Sequence, residues 1–391
     1  MILQRRTNNH LPDEIVLEIL ARLSVKSVLR FRCVCKSWYS FITNPNFISN
    51  HLSHNHHHDE YVIHKPKIYP YQPLYSCSNL QVCTLALDRT FETKSEFRIP
   101  FNFQSRHPGL VGSCNGILCF TDFIASKSKD VYLWNPSIRK FKRLPDTCLT
   151  QLRTLVLGFG YDSQNNDYKV VRIPWNCTKW MPTPEAEVYS LSLDPWKRVE
   201  LGISWRPNAL FSKFDYILAF PFVSRHLHWM IEMREVGGGQ KMCFSAMILS
   251  FDVDSEKFKE LPLPDDEGTC PVTKCVKCVT WFKGKLALTK SGYGVQPHSM
   301  LFSIYWNKLC VLLVDDFTYF TAFTNYGILL IQNMPQLVFT NCELEWTYKS
   351  VLTDPETLHE NEISIQVNYE LDVATYIESL ALLDDANVVS Y

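Results

Sequence analysis

The sequence contains no uninterrupted apolar stretch approaching the ~18 residues that a membrane-spanning helix needs. No leader-like apolar segment follows Arg5 and Arg6 in MILQRRTNNH either. Together these absences predict a soluble intracellular chain, cytoplasmic and/or nuclear, without a membrane partner. Excess charge is also missing: 39 Lys and Arg stand against 40 Asp and Glu, which argues against a general nucleic-acid binder. Signatures of catalysis are equally scarce. LGFGYD has Gly158 and Gly160 but lacks the third glycine of a dinucleotide loop, and there is no P-loop, G-x-S-x-G or H-E-x-x-H. No enzymatic activity, cofactor or metal is predicted.

What the chain does have is apolar bulk. With 46% hydrophobic and 13% aromatic residues in 391, it can build a sizeable core divided over two or three domains. Its 14 cysteines fall singly within apolar runs such as GILCF and KLCVLLV, the pattern of reduced cysteines used as small hydrophobes rather than of a disulfide framework. Charge is uneven along the chain. Arg5, Arg6, Arg22, Lys26, Arg30, Arg32 and Lys36 outnumber Asp13, Glu14 and Glu18 between Met1 and Leu52, which leaves the body mildly acidic.

Leu11 to Phe47, LPDEIVLEILARLSVKSVLRFRCVCKSWYSFITNPNF, reads as three short helices. The first opens at Pro12, with Asp13 and Glu14 in the turn where the helix dipole favours negative charge, and ends near Leu23. Ser24 is placed to cap a second helix through about Cys33. A third runs from about Val34 to Thr43, where Asn44-Pro45 closes it. On the first helix Ile15, Val16, Leu17, Ile19, Leu20 and Leu23 span roughly 200°, about twice the usual core-facing stripe. So broad an apolar arc calls either for packing against a larger domain or for a partner that covers it.

Beyond Asn50 the chain is polar and then Pro-rich, HLSHNHHHDEYVIHKPKIYPYQP. His54, His56, His57 and His58 with Asp59 and Glu60 have metal-binding chemistry but no regular element behind their spacing, so a solvated loop is expected. From about Tyr61 short β-branched and aromatic runs alternate with Gly, Pro, Asn and Asp, as in strands. VYLWNPSIRKFKRLP, VYSLSLDPWKRVEL and ILSFDVDSEKFKELP align as a strand, a polar turn and a second strand, with Trp134, Leu191 and Phe251 in register. NGILCF, DYKVVRI and RHLHWMI precede them, and KGKLALT and NYGILLI continue the series. A period near 60 residues predicts five or six four-stranded units closed into a propeller, with a pair of β-sandwiches as the second choice. Cys270, Cys275 and Cys278 in CPVTKCVKC lack a second pair and read as strand cysteines rather than zinc ligands. Gly237 to Gly239 reads as a hairpin tip and Asp265 to Glu267 as a solvated loop.

Leu11-Pro12, Ile19-Leu20, Leu23, Lys26-Ser27-Val28, Arg32, Val34-Cys35, Lys36-Ser37-Trp38 and Ile42, taken as an ordered set, resemble an F-box. GSCNGILCF, LWNPSIRKFKRLP, LGFGYDSQNNDYKVV, AEVYSLSLDPWK and ATYIESLALL resemble the kelch-like F-box-associated domain of plant F-box proteins, including the S-locus and immune-regulating ones. The likeness thins between Ser291 and Thr353, where an irregular blade is expected. The resemblance implies an N-terminal three-helix F-box (1–50), a polar linker and leading strand (51–75) and an all-β propeller (76–391). It also implies a non-catalytic substrate-recognition subunit of a ubiquitin ligase, joined through a Skp-type adaptor to a cullin and a RING subunit, with a protein client on the propeller. By position it assigns adaptor contacts to Leu11, Pro12, Ile15, Leu20, Leu23, Val28, Leu29, Cys35 and Trp38. The absence of a RING-like Cys/His ladder or a catalytic cysteine agrees with that role. The competing function is a propeller enzyme or glycan-binding lectin with a structural helical cap. For ring closure, Leu80 to Asp88 and Ala374 to Leu382 are expected to pair in one blade, the latter otherwise forming an outer helix.

Overall fold

The computed structural model describes residues 11–55, 61–67, 81–103, 108–122, 130–147, 155–174, 185–202, 209–211, 221–236, 242–263, 275–292, 299–304, 307–313, 318–333, 336–340, 343–347, 350–363, 370–382 and 388–391. Four helices come first: α1 (Asp13–Ala21), α2 (Val25–Phe31), α3 (Lys36–Thr43) and α4 (Pro45–Asn55). The fourth was not expected. Asn44-Pro45 closes α3 and also opens α4, because proline suits the first helical position. Asn44 Oδ1 accepts the Asn46 N–H at 2.8 Å, and its carbonyl accepts that of Ile48. Residues 51–55, expected in the linker, therefore extend a helix, and β1 (Tyr61–Lys67) starts only six residues after α4 ends. His56 to Glu60 lie outside the described residues.

The remaining described elements are strands. Blade 1 contains β1, β2 (Val82–Leu87) and β3 (Thr93–Arg98). Blade 2 contains β4 (Pro108–Cys114), β5 (Ile117–Asp122), β6 (Val131–Asn135) and β7 (Lys140–Arg143). Blade 3 contains β8 (Leu155–Asp162), β9 (Asp167–Pro174), β10 (Glu185–Ser190) and β11 (Trp196–Glu200). In blade 4 two short pieces, β12 (Ala209–Phe211) and β13 (Phe222–Val223), both pair with β14 (His226–Val236), followed by β15 (Met242–Asp252) and β16 (Lys257–Pro262). Blade 5 contains β17 (Cys275–Phe282), β18 (Lys285–Gly292), β19 (Ser299–Ile304) and β20 (Asn307–Leu313). Blade 6 has β21 (Thr318–Phe323) and β22 (Leu329–Asn333), then a separate hairpin, β23 (Gln336–Thr340) with β24 (Glu343–Thr347), before β25 (Ser350–Thr353) and β26 (Glu360–Glu362). This inserted hairpin is the irregularity expected where the resemblance thins.

The ring closes through β27 (Glu370–Tyr376), which returns to blade 1 as its innermost strand in the order β27-β1-β2-β3. β27 packs on β4, β4 on β8, β8 on β14, β14 on β17, β17 on β21 and β21 on β27, so six blades form a closed circle. Early and late segments share a blade as expected, but the late strand pairs with β1 and not with β2. Ile377 to Leu382 form neither the expected strand nor a helix. Opposite each other in the closing pair stand Lys65 and Asp372, both buried, with 2.9 Å between Nζ and Oδ2. A final two-residue strand, β28 (Val389–Ser390), adds to blade 2 beside β7.

Each propeller core lies between two neighbouring blades. On β6, Val131 and Leu133 pack towards blade 3 with Leu157, Phe159, Val170 and Tyr189. Tyr132 and Trp134 of the same strand pack towards blade 1 with Ile63, Leu85 and Phe101. A strand buried on both faces reads as a continuous apolar run, as VYLW does. Cys83, Cys114 and Cys119 belong to these surroundings, and burial pushes the thiols of Cys83 and Cys114 up to about 12, so they pack as neutral hydrophobes. Gly158 owes its place to the next blade. A Cβ there would stand 2.6 Å from the Trp229 ring, whose Nε1 donates to the Leu157 carbonyl at 3.0 Å.

One hairpin turn recurs around the ring. Residue i pairs with i+7 in Ala86↔Thr93, Trp134↔Phe141, Tyr161↔Tyr168, Tyr189↔Trp196, Phe251↔Phe258 and Thr353↔Glu360. Residue i+5 has positive φ each time: Phe91, Arg139, Asn166, Asp194, Glu256 and Leu358. In five of the six, residue i+1 is Asn, Asp or Ser, and its side-chain oxygen accepts backbone N–H groups of the turn. This geometry corrects the sequence register, because Tyr189 and not Leu191 corresponds to Trp134 and Phe251. Leu191 stands two residues further on, inside the turn. All six turns join first to second or third to fourth strands and emerge on one face of the ring. The Tyr376 end of β27 pairs with Tyr61, so the helices and the residues after β27 meet the propeller on that face too.

Two predictions concern the charges buried in the ring. Lys169 Nζ lies 2.7 Å from Asp162 and 3.0 Å from Glu256 and donates to the Val253 carbonyl, tying blade 3 to blade 4. Burial alone would raise the Asp162 carboxyl, but hydrogen bonds from the Asn165 side chain, Lys169 and the Asn165 N–H outweigh it and hold the pKa at about 2. Its stabilisation is complete above the unfolded value of ~4 and is lost as pH falls towards 2, about 2 kcal/mol in all. Urea unfolding between pH 5 and pH 2 measures the loss, and Asp162→Asn should flatten that part of the curve. At the closure, Asp372→Ala leaves Lys65 without its facing carboxylate and should cost about 3–5 kcal/mol. Lys65→Met with Asp372→Leu should come close to the parent in the same assay.

Candidate functional site

The helical module is the site whose chemistry can be followed from sequence to surface. α1 packs on α4, α4 on α3 and α3 on α2. Ser24 occupies the N-cap of α2, but its hydroxyl meets Ser27 Oγ at 3.0 Å and caps no backbone group. α2 ends at Phe31 rather than near Cys33. α3 begins at Lys36, two residues later than expected, with Cys35 Sγ accepting the Trp38 N–H.

The broad arc of α1 divides in two. Leu20 turns inward with Ala21, Val25, Val28, Ile42 and Phe47, and Val16, Leu17, Leu23, Leu29, Phe31 and Trp38 pack around them. Leu20 and Val28, assigned by resemblance to the adaptor surface, are 2% and 0% exposed and are core residues here. The reason is geometric: helical spacing turns both of them towards the core that the helices share. Leu23, Leu29 and Trp38 are half-buried, and the Trp38 ring meets Phe31 edge-on at 5.4 Å. Leu11, Pro12, Ile15 and Cys35 are exposed.

Ile19 was absent from the assigned contacts, yet it is 49% exposed beside Ile15 at 47% and Leu11 at 58%. Ile15 and Ile19, four residues apart, form one stripe on α1, and Leu11 lies just ahead of the helix. That periodicity was readable in the sequence; which half of the arc faced outward was not. Val34 and Tyr39 are exposed as well. Tyr39 is held by Arg32, whose guanidinium sits 4.4 Å over its ring and donates to its hydroxyl at 2.9 Å. Lys26, Arg30 and Lys36 are exposed on the same module.

Only part of the sequence clusters with metal-binding chemistry lies within the described residues. His51 is buried in α4 with Nε2 2.8 Å from the Leu23 carbonyl. Its pKa is lowered, chiefly by burial, against the opposing effect of that bond. His54 lies 4.0 Å from Glu18. Cys275 and Cys278 lie on β17, and Cys270, Gly237 to Gly239 and Asp265 to Glu267 lie outside the described residues. Among the described residues no group of three or more His, Cys, Asp or Glu is arranged to hold a metal ion.

A helical module with an outward apolar stripe, seated on a closed propeller, defines a two-part protein-binding scaffold. The chain belongs to the family of the F-box associated beta propeller domain, whose model matches residues 73–381, and the F-box domain matches residues 9–50. Among curated relatives, the Arabidopsis thaliana F-box protein At3g08750 is 26% identical, over 80% of this chain and 74% of its own. F-box protein At3g07870 is 28% identical, over 66% and 61%. F-box/kelch-repeat protein At3g23880 is 29% identical, over 66% of each. The chain thus spans less than two thirds of the latter two. An F-box joined to this propeller makes the chain an F-box substrate-receptor protein, of a kind that generally acts as an adaptor and not as a catalyst.

The division between core and surface on α1 can be measured directly. Leu20→Ala should destabilise the helical module by about 2–5 kcal/mol, whereas Ile19→Ala should stay within about 0.5 kcal/mol of the parent. Hydrogen exchange of the α2 and α3 amides reads both.

Proposed function

We propose that the chain is the substrate-recognition subunit of a Skp–cullin–F-box ubiquitin ligase. The helical module binds a Skp-type adaptor, and through it a cullin and a RING subunit, while the propeller holds a protein client for ubiquitination and proteasomal degradation. The observation that carries this reading is the stripe of Ile15 and Ile19 on α1, with Leu11 ahead of it, left in solvent on a module whose other large apolar side chains mostly pack inward. Covering such a stripe releases its apolar area from water, and the exposed Lys26, Arg30 and Lys36 favour an acidic partner and speed its approach. The chain contributes no bond-making group. It raises the effective concentration of client lysines near the ubiquitin-charged enzyme, and proximity supplies the rate. Its place of action is the cytoplasm and/or the nucleus.

The test is capture of a purified Skp-type adaptor by the full chain. Leu11→Ser with Ile15→Ser should weaken binding by ~100-fold or more, since each removes a large apolar side chain from the contact. Trp38→Ala should weaken it further, and association should slow as salt rises. Undiminished capture by the triple variant would sink the proposal.

A further inference from the structure

The module and the propeller share a core, and the shared piece comes from residues far along the chain. Leu380, fully buried, packs among Leu20, Ala21, Val25, Val28, Ile42 and Phe47. Its next neighbours, Ala381 and Leu382, are buried instead in the core between blades 2 and 3 with Val111, Leu133 and Tyr189. Three consecutive residues therefore belong to two different cores. Ile138, from the turn between β6 and β7, also packs on the helical cluster.

The backbone around Leu380 is held on several sides. Asn135, fully buried, donates from Nδ2 to the carbonyls of Ser379 and Ala381 at 3.0 and 2.9 Å and lies 3.2 Å from Ser379 Oγ. Ser137 Oγ meets Tyr376 OH at 2.6 Å. Gly116, at φ +79°, passes so close that a Cβ would stand 2.7 Å from the Ile377 carbonyl. Leu382 then turns the chain with φ +69°. Beyond it, Trp134 Nε1 donates to Tyr391 OH at 3.1 Å beside the short β28 pairing.

We infer that residues 377–382 are a rigid wedge that fixes the F-box module against blade 2, with Leu380 and Asn135 as positioning residues that set where the propeller stands relative to the ligase. Freedom about the short link between α4 and β1 would scatter the propeller over many orientations. The wedge removes that freedom, because turning the module away would expose Leu380 and Ile138 to water, while the Asn135 hydrogen bonds keep the wedge itself on blade 2. Effective concentration at a transfer site is highest when the connection holds one geometry that fits. The geometric part of the inference stands on the fold alone; its consequence for ubiquitin transfer rests on the function proposed above.

The test uses the full chain with spin labels on non-canonical residues at exposed Ser49 and Lys259. Pulsed electron resonance should give one narrow distance for the parent and for Leu380→Met, and a broad distribution for Leu380→Ser with Asn135→Ala. Ile138→Ser, a milder change, serves if the double variant melts early. With adaptor, cullin and RING subunit added, transfer to the chain's own propeller lysines should favour a few sites in the parent. In the loosened variant it should spread over more sites, with a ~tenfold lower rate at the preferred ones and unchanged adaptor capture. A broad distance distribution in the parent, or a narrow one in every folded variant, overturns the wedge. Failure of the parent to capture the adaptor would instead overturn the proposed function and leave the distance result standing.

Discussion

In this propeller the hydrophobic cores lie between sheets rather than within them. A blade alone would present apolar side chains on both faces, so its stability depends on neighbours on either side, and the requirement passes around the circle until it returns to blade 1. Ring closure is thus the condition for every core at once. β27 meets it by filling the innermost place beside β1, where its outer side faces β21 and β4. The buried Lys65–Asp372 pair gives that closure its register. A slipped strand would leave both charges buried and unpaired, at several kcal/mol each.

The closed ring has two unlike ends. On one, recurring turns with a polar residue at i+1 and positive φ at i+5 keep the connections short. The helical module docks on this end, beside blade 2. The opposite end carries the far ends of the same strands, away from the described helices.

Much of this architecture was legible in the amino-acid order because it depends on local chemistry. Alternation between apolar runs and polar turns marked the strands, and the recurring aromatic, polar turn and aromatic marked the outer hairpins. The register failed at Leu191 because a weak repeat aligned by composition cannot tell a strand end from a turn residue two positions later. α4 was missed because Asn44-Pro45 ends one helix and begins another with the same two residues. The assigned surface went astray at Leu20 and Val28 for a different reason. Helical periodicity gives the width of an apolar arc, but only the neighbouring helices decide which edge of it stays in water. Nothing local could have announced that Leu380 completes the same core.

That last contact has a consequence in time. Chains emerge from the ribosome at about 5–20 residues per second, so the F-box helices wait roughly 20–60 s for Leu380 after Ile48 has been made. Until then their core lacks a side chain and the ring lacks β27. Folding of the first module is completed together with closure of the last blade, and a nascent chain that stalls partway possesses neither part in finished form.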